Sequence, residues 1–277
     1  MIRGIINTAK FVIRRATGHG YYVNIKQVQK QLDEALAGKR GELELYGLKQ
    51  GTDKASAISF MTQDEDVSMR VAHDYLRHYE FLFNNFKFDE FSLIEFGCAD
   101  GASLRMWEEY FPKADIYGVD LDENATRHDN SSSATGGGRI HIVIGDATSP
   151  LTYDKLKQAA KNPFIIVDDA SHAWSDQRIS FELFWDILTP GGFYVIEDLE
   201  CGAIGAYPQY PPKILDSQPF NDYMHELSKI LRWAPDRQPA QNFYHFEHLP
   251  ERVQKIALEM DACIFIPGAV IVRKKKF

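Results

Sequence analysis

The sequence predicts an α/β fold. Five short apolar runs, over residues 92–96, 115–119, 140–144, 164–167 and 193–196, alternate with segments of helical periodicity. That alternation is the pattern of a parallel sheet crossed by helices. Each run ends in glycine or an acidic residue, which places polar chemistry at the strand ends. At the C-terminus a helix around Glu251–Glu259 precedes two strands, 262–266 and 269–273, joined by Pro267-Gly268. A two-residue connection demands a hairpin, so the parallel sheet acquires an antiparallel edge. The expected architecture is a Rossmann-like, seven-stranded, mostly parallel sheet with a C-terminal hairpin and added N-terminal helices.

With 277 residues, 44% of them hydrophobic and 25% charged, the chain can bury a sizeable core. A formal net charge of −8 argues against nucleic acid as a partner, because that binding is driven by Lys and Arg neutralising phosphates. Cys98, Cys201 and Cys263 are too scattered for a disulfide framework or a zinc knuckle, and a reducing cytoplasm is expected. No apolar run reaches the roughly 18 residues of a membrane span. The N-terminal run is broken by Lys10, Arg14 and Arg15 before a signal-peptide core develops, so secretion is not expected.

Residues 2–16 place Ile2, Ile5, Ile6, Ala9, Val12 and Ile13 on one helical face, with Phe11 as the exception. The expectation is a helix docked on the core or on a partner subunit, with peripheral membrane contact as the alternative. A docked helix makes a homo-oligomer the expected assembly. Residues 23–37 read as helical as well, and Gly38 and Gly41 break the pattern before a loop holding Gly51-Thr52-Asp53-Lys54. From residue 69 a helix runs through Tyr75 and Tyr79. Residues 131–138 are polar and glycine-rich and read as a loop. The stretch 201–248, rich in Tyr, Pro and His, is too long for a simple connection and is expected to contain helices and to cover a site. The division expected is an N-terminal helical extension and covering loop over 1–68, then a core domain over 69–277 with an insertion at 201–248.

In an open α/β sheet, ligands bind beyond the carboxyl ends of the strands, where the strand order reverses. The first run continues as Glu95-Phe96-Gly97-Cys98-Ala99-Asp100-Gly101, whose glycines permit a tight turn and close approach of main chain to ligand. The full dinucleotide glycine fingerprint is absent, which favours a cofactor without a phosphate over a pyrophosphate. The second run ends at Asp120, about 20 residues on, where a carboxylate can accept from both ribose hydroxyls. The third ends in Gly145-Asp146, an acid suited to an adenine amine. The alternative is that each acid caps the following helix. Cys98 reads as a small packing residue, since no nearby histidine activates it.

The fourth run ends in Asp168-Asp169-Ala170-Ser171-His172 and the fifth in Glu197-Asp198. Converging carboxylates repel unless a cation or proton lies between them. Asp169, Glu197 and Asp198 together suit a hard divalent ion such as Mg²⁺, which would orient a hydroxyl and lower its pKa. His172, three residues past Asp169, is the candidate general base, against the alternative of a packed or surface histidine. Asp168 serves either the surrounding shell or the cofactor.

On these residues the chain resembles the metal-dependent sugar O-methyltransferases of macrolide biosynthesis and the related proteins called cephalosporin hydroxylases. The marks are Gly51-Thr52-Asp53-Lys54, His73 and Tyr75, Ile94-Glu95-Phe96-Gly97 with Ser103-Leu104 and Met106-Trp107, Asp168-Asp169-Ala170-Ser171-His172, and Ile196-Glu197-Asp198-Leu199. They cover about half the chain. The resemblance implies a class I methyltransferase fold and S-adenosylmethionine bound by Glu95, Gly97, Gly101, Ser103, Asp120, Asp146 and Asp168, with Thr52 and Lys54 on the covering loop. It further implies Mg²⁺ on Asp169, Glu197 and Asp198, His172 as base, and methyl transfer to a hydroxyl of a small-molecule or glycan acceptor. Cys98-Ala99 and the region 201–248 depart from the pattern, and the latter leaves the acceptor open. A catechol-like phenol acceptor and a non-catalytic cofactor-binding protein are the alternatives.

Overall fold

The computed structural model describes residues 11–14, 20–23, 38–56, 58–63, 66–71, 73–131, 137–201, 219–232 and 248–276. The chain divides into two compact units, Met1–Asn85 and Phe86–Phe277, a boundary 17 residues beyond the one expected at 68/69.

The first unit contains two antiparallel strand pairs, β1 (Phe11–Arg14) with β2 (Gly20–Val23), and β3 (Ile58–Gln63) with β4 (Asp66–Val71). Among the described residues two helices accompany them, α1 (Glu42–Gln50) and α2 (Leu76–Phe83). Two expectations are corrected here. Within the N-terminal segment, residues 11–14 form a strand rather than a helix, because Phe-Val-Ile is a contiguous run of strong strand formers. Residues 2–10 and 24–37, expected to be helical, lie outside the described residues. The helix expected from residue 69 starts at Leu76, and residues 69–71 belong to β4, whose Val67, Met69 and Val71 recur with period two. Helix α1 has no side-chain cap of its own, and the Glu80 carboxylate on α2 accepts from the Glu42 N–H at 2.9 Å in its place. Along α2, the rings of His73, Tyr75, Tyr79 and Phe83 follow one another with centroids 4.9, 6.0 and 5.8 Å apart.

The second unit is built on a seven-stranded sheet in the order β10-β11-β9-β8-β5-β6-β7. Its strands are β5 (Ser92–Phe96), β6 (Asp115–Asp120), β7 (Ile140–Ile144), β8 (Pro163–Asp168), β9 (Phe193–Ile196), β10 (Met260–Ile266) and β11 (Ala269–Lys274). The five expected runs and the hairpin all form, within a residue or two of their predicted ends. Strands β5 to β9 pair parallel, and β11 joins β9 antiparallel. Strand order reverses between β5 and β8, so the crevice for a ligand opens beyond Phe96 and Asp168, which face each other in register. Outermost β10 carries a register shift between Met260 and Ala262.

The crossing helices are α3 (Ala102–Tyr110), α4 (Pro150–Ala159) and α5 (Trp174–Phe184), followed by α6 (Phe220–Ser228) and α7 (Glu251–Glu259). Helix α4 begins as its sequence dictates, with Ser149 accepting from the Leu151 N–H and Pro150 in the first turn. Helix α6 lies in the expected insertion and is fastened to α5: Tyr223 donates to Glu182 at 2.9 Å, and the Arg178 guanidinium lies 4.6 Å from the Tyr223 ring. The core's aromatic centre is Phe181, fully buried, with ring centroids of Trp185, Tyr194 and Phe220 at 5.3, 5.1 and 6.1 Å. Lys274, at the end of β11, donates to the carbonyls of Trp185 and Leu188 just past α5 and so places a cation at that helix's negative end. A cavity of about 550 Å³, lined by Phe86, Phe91, Phe164, Lys113 and Arg273, opens at the opposite, amino ends of the strands, away from the crevice. Replacing Phe181 by Ala is expected to lower unfolding stability by about 3–5 kcal/mol, read from the urea midpoint at unchanged slope.

Candidate functional site

The turn after β5 is held by main-chain bonds. Gly97 N–H donates to Val119 O at 2.8 Å, and Gly101 N–H to Cys98 O at 2.7 Å. Three of its residues lie in the left-handed region, Gly97 (φ 88°), Ala99 (φ 42°) and Gly101 (φ 72°). At Gly97 a second requirement applies, because a β-carbon there would sit 2.2 Å from the carbonyl oxygen of Asp169. The turn after β5 and the acid-bearing loop after β8 are therefore in close main-chain approach. Ala99 adopts its conformation at a cost of about 1–2 kcal/mol, as an L-residue with a β-carbon must.

Asp120 ends β6 with both carboxylate oxygens engaged by main chain: Cys98 N–H donates to Oδ2 and Asp122 N–H to Oδ1, each at 2.9 Å. Each oxygen keeps a lone pair for a further donor. The capping alternative fails for this acid, since the following 3₁₀ turn Glu123–His128 is capped by Asp122. It fails for Asp146 too, where Ser149 caps α4 while Asp146 accepts from Thr148 N–H at 2.8 Å. Asp146 stands at the end of β7, two strands from β5. Ser103 is buried in the first turn of α3. Glu95 is fully buried and accepts from the Trp107 indole at 3.1 Å, which ties α3 to the sheet. Cys98 is a packing residue as expected: it is buried, its thiol pKa is raised by burial, and its sulfur occupies the space a β-carbon on Gly118 would need. Thr52 and Lys54 belong to the first unit, where the Lys54 N–H donates to Thr52 Oγ1 at 3.4 Å and Lys54 O accepts from Tyr75 N–H at 3.0 Å.

At the ends of β8 and β9, ligand atoms of Asp169, His172 and Asp198 lie within 4.8 Å of one another. His172 stands between the acids, Nδ1 4.0 Å from Asp169 Oδ1 and Nε2 3.9 Å from Asp198 Oδ2. Two hard carboxylates beside an imidazole fit a divalent ion. Glu197, the third acid expected in this set, does not join the group and is buried at the end of β9. His172 and Asp198 both take φ 55°, a conformation that non-glycine residues hold at functional sites when their surroundings enforce it. Asp168 is buried and bonded by Ser180, and its pKa is pushed up to about 6, chiefly by burial and against the bonds from Ser180 and the Ala170 N–H.

Sequence reasoning missed His128, whose half-buried ring lies over the turn: a β-carbon on Gly101 would come 2.6 Å from its Nδ1. It falls in a polar stretch with no periodicity, so nothing marked it. It also missed Trp174 and Gln177 of α5, whose side chains donate to the carbonyls of Leu199 and Glu197, each at 2.9 Å.

No family model matches the chain. It is 33% identical over 135 residues to the 8-demethyl-8-alpha-L-rhamnosyl tetracenomycin-C 2'-O-methyltransferase of Streptomyces olivaceus, covering 46% of this chain and 34% of that protein. It is likewise 33% identical over 135 residues to the demethylmacrocin O-methyltransferase of Streptomyces fradiae, covering 46% and 32%. The chain thus resembles sugar O-methyltransferases of macrolide and tetracenomycin biosynthesis and spans about a third of the length of these curated relatives. The structure of the MycE methyltransferase from the mycinamycin biosynthetic pathway, in complex with Mg and SAH, superimposes with a TM-score of 0.61 at 19% identity, covering 95% of this chain and 67% of that chain. That likeness shows the fold: a seven-stranded, mostly parallel sheet with an antiparallel C-terminal hairpin.

Gly97→Ala is expected to lower the unfolding free energy by about 2–4 kcal/mol, through the left-handed backbone and the collision with Asp169. Ala99→Gly, which relieves strain at the cost of a more flexible unfolded chain, is expected to change stability by no more than about 1 kcal/mol. Urea unfolding of both variants checks the contrast.

Proposed function

We propose that this chain is an S-adenosylmethionine-dependent, Mg²⁺-dependent O-methyltransferase acting on a sugar hydroxyl of a glycosylated natural product, a polysaccharide precursor or a glycolipid. The observation that carries the reading is the contact of the Gly97 turn with Asp169, which sets a nucleoside-binding turn directly against a cluster of two acids and a histidine. The named activities of the 33% identical relatives support it.

S-adenosylmethionine would supply an electrophilic sulfonium methyl, and Mg²⁺ at the acids would supply a Lewis acid that lowers the pKa of an acceptor hydroxyl. Asp120 would hold the ribose with its remaining lone pairs, while Gly97 and Gly101 would let the main chain approach. Glu95 would support the turn, and Ser103, Asp146 and Asp168 would line the crevice's margins. Asp169 and Asp198, whose carboxylates flank His172, would hold the ion. His172 receives the hydroxyl proton on a ring nitrogen. It makes no short contact with either acid, as is common for a general base before substrate tightens the site. Orientation and fixed electrostatics would supply most of the rate.

The partners proposed are the acceptor and further copies of the chain, without nucleic acid, and the setting is cytoplasmic. Among the described residues no helix is long and apolar enough to cross a membrane.

Calorimetric titration of S-adenosylmethionine, in Mg²⁺ and in chelator, followed by a panel of sugar and catechol acceptors, tests the reading. Binding with Mg²⁺-dependent methylation of a sugar hydroxyl is expected. Absence of cofactor binding rejects the enzyme, and methylation of catechols alone rejects the sugar acceptor. His172→Ala is expected to cut turnover by a factor of about 10² or more with cofactor affinity unchanged. Asp120→Ala is expected to weaken cofactor binding. Asp169→Asn and Asp198→Asn are each expected to weaken Mg²⁺ binding.

A further inference from the structure

The loop after β8 places Asp169 and His172 among Asp168, Ser171 and Ala173; the loop after β9 places Asp198 between Glu197 and Leu199. One helix grips both loops, on either side of Asp169 in the first and on either side of Asp198 in the second. On the first, Ser180 Oγ donates to the Asp168 carboxylate, and Ser171 Oγ donates to Asp176 Oδ2 at 2.6 Å. On the second, Gln177 Nε2 donates to Glu197 O and Trp174 Nε1 to Leu199 O, each at 2.9 Å. All four gripping residues lie on α5. Asp176 and Ser180 are four apart and hold the β8 loop, whereas Trp174 and Gln177 are three apart and hold the β9 loop. Residues spaced three or four apart lie along one helix face, so α5 presents two ridges, one to each loop. Gln177 is 1% exposed, so its donor reaches the Glu197 carbonyl out of competition with water.

We infer that Trp174, Asp176, Gln177 and Ser180 are positioning residues, and that α5 fixes the separation of Asp169 from Asp198 and thereby the strength with which the pair holds a divalent ion. This rests on the metal-binding reading above. The ties also hold His172 and Asp198 in left-handed conformations that an L-residue does not favour.

The test uses the full chain with Gln177→Met, which keeps the volume and removes the donor, and Asp176→Ala, with Asp176→Asn as the variant that retains an acceptor for Ser171. Mg²⁺ alone is titrated by calorimetry, and amide hydrogen exchange is followed over residues 169–173 and 197–201. Gln177→Met and Asp176→Ala are expected to weaken Mg²⁺ binding by about 10- to 100-fold, the usual effect of removing a group that orients a ligand. They are also expected to speed exchange in the loop each one grips by about 10-fold or more. Asp176→Asn is expected to restore both properties. Folded variants with wild-type exchange in the gripped loops overturn the inference, whatever the metal result. Should the wild-type chain bind no Mg²⁺, the proposed function fails, while the exchange measurement still decides whether α5 holds the loops. Asp176 is 8% exposed against 1% for Gln177, so its variants keep the test available if Gln177→Met does not fold.

Discussion

Two stretches of main chain run so close at the carboxyl ends of β5 and β8 that no side chain fits between them. The Asp169 N–H donates to Phe96 O at 3.0 Å, and a β-carbon on Gly97 would lie 2.2 Å from Asp169 O. One strand further, Glu197 N–H donates to Asp168 O at 3.0 Å. These bonds continue the ladder of the sheet past its formal ends. Three loops that differ in sequence and chemistry are thus held at one level, and the buried strands beneath them set that level. Glycine at position 97 is a consequence of strand spacing before it is a consequence of any ligand.

Above that level the chain departs from relaxed geometry. Ala99, His172 and Asp198 are left-handed, and each sits in the loop after a different central strand or its neighbour. Such conformations persist where neighbouring groups leave no alternative. At Ala99 the restraint is the chain of turn bonds running through Gly97 and Gly101; at His172 and Asp198 it is the face of α5. The interior below is aromatic and rigid, with Phe181 on α5 packed against Trp185 and Tyr194, so the helix that grips the loops is itself anchored in the core.

Much of this was legible in the residues. Runs such as 92–96 are buried throughout, end at glycine or an acid, and are too short for helices, which leaves one reading. The acids at strand ends announce chemistry by type and place. The N-terminal segment misled because Val12 and Ile13 fit a helical stripe, while Phe11, the residue that did not fit, was the sign of a contiguous strand. Glu197 and Asp198 show a different limit: the strand ends at Ile196 and the chain turns left-handed at Asp198, so two adjacent acids just past a strand end need not reach one ion. Asp198 joins Asp169 and His172, and Glu197 turns inward. Trp174 and Gln177 carry no signature at all, since their partners are carbonyl groups that every residue possesses.

The shift of register between Met260 and Ala262 has a meaning beyond this molecule's own fold. Among the described residues β10 is the outermost strand, so its outer main-chain groups face no described strand. Its ladder is kinked at that point, and Asp261 beside the kink is paired with Arg273 across the hairpin at 3.7 Å. A bent, charged border is a poor template for another strand. The hairpin that completes the sheet therefore also discourages its growth into edge-to-edge polymers, a protection that matters most when many newly made copies are crowded together.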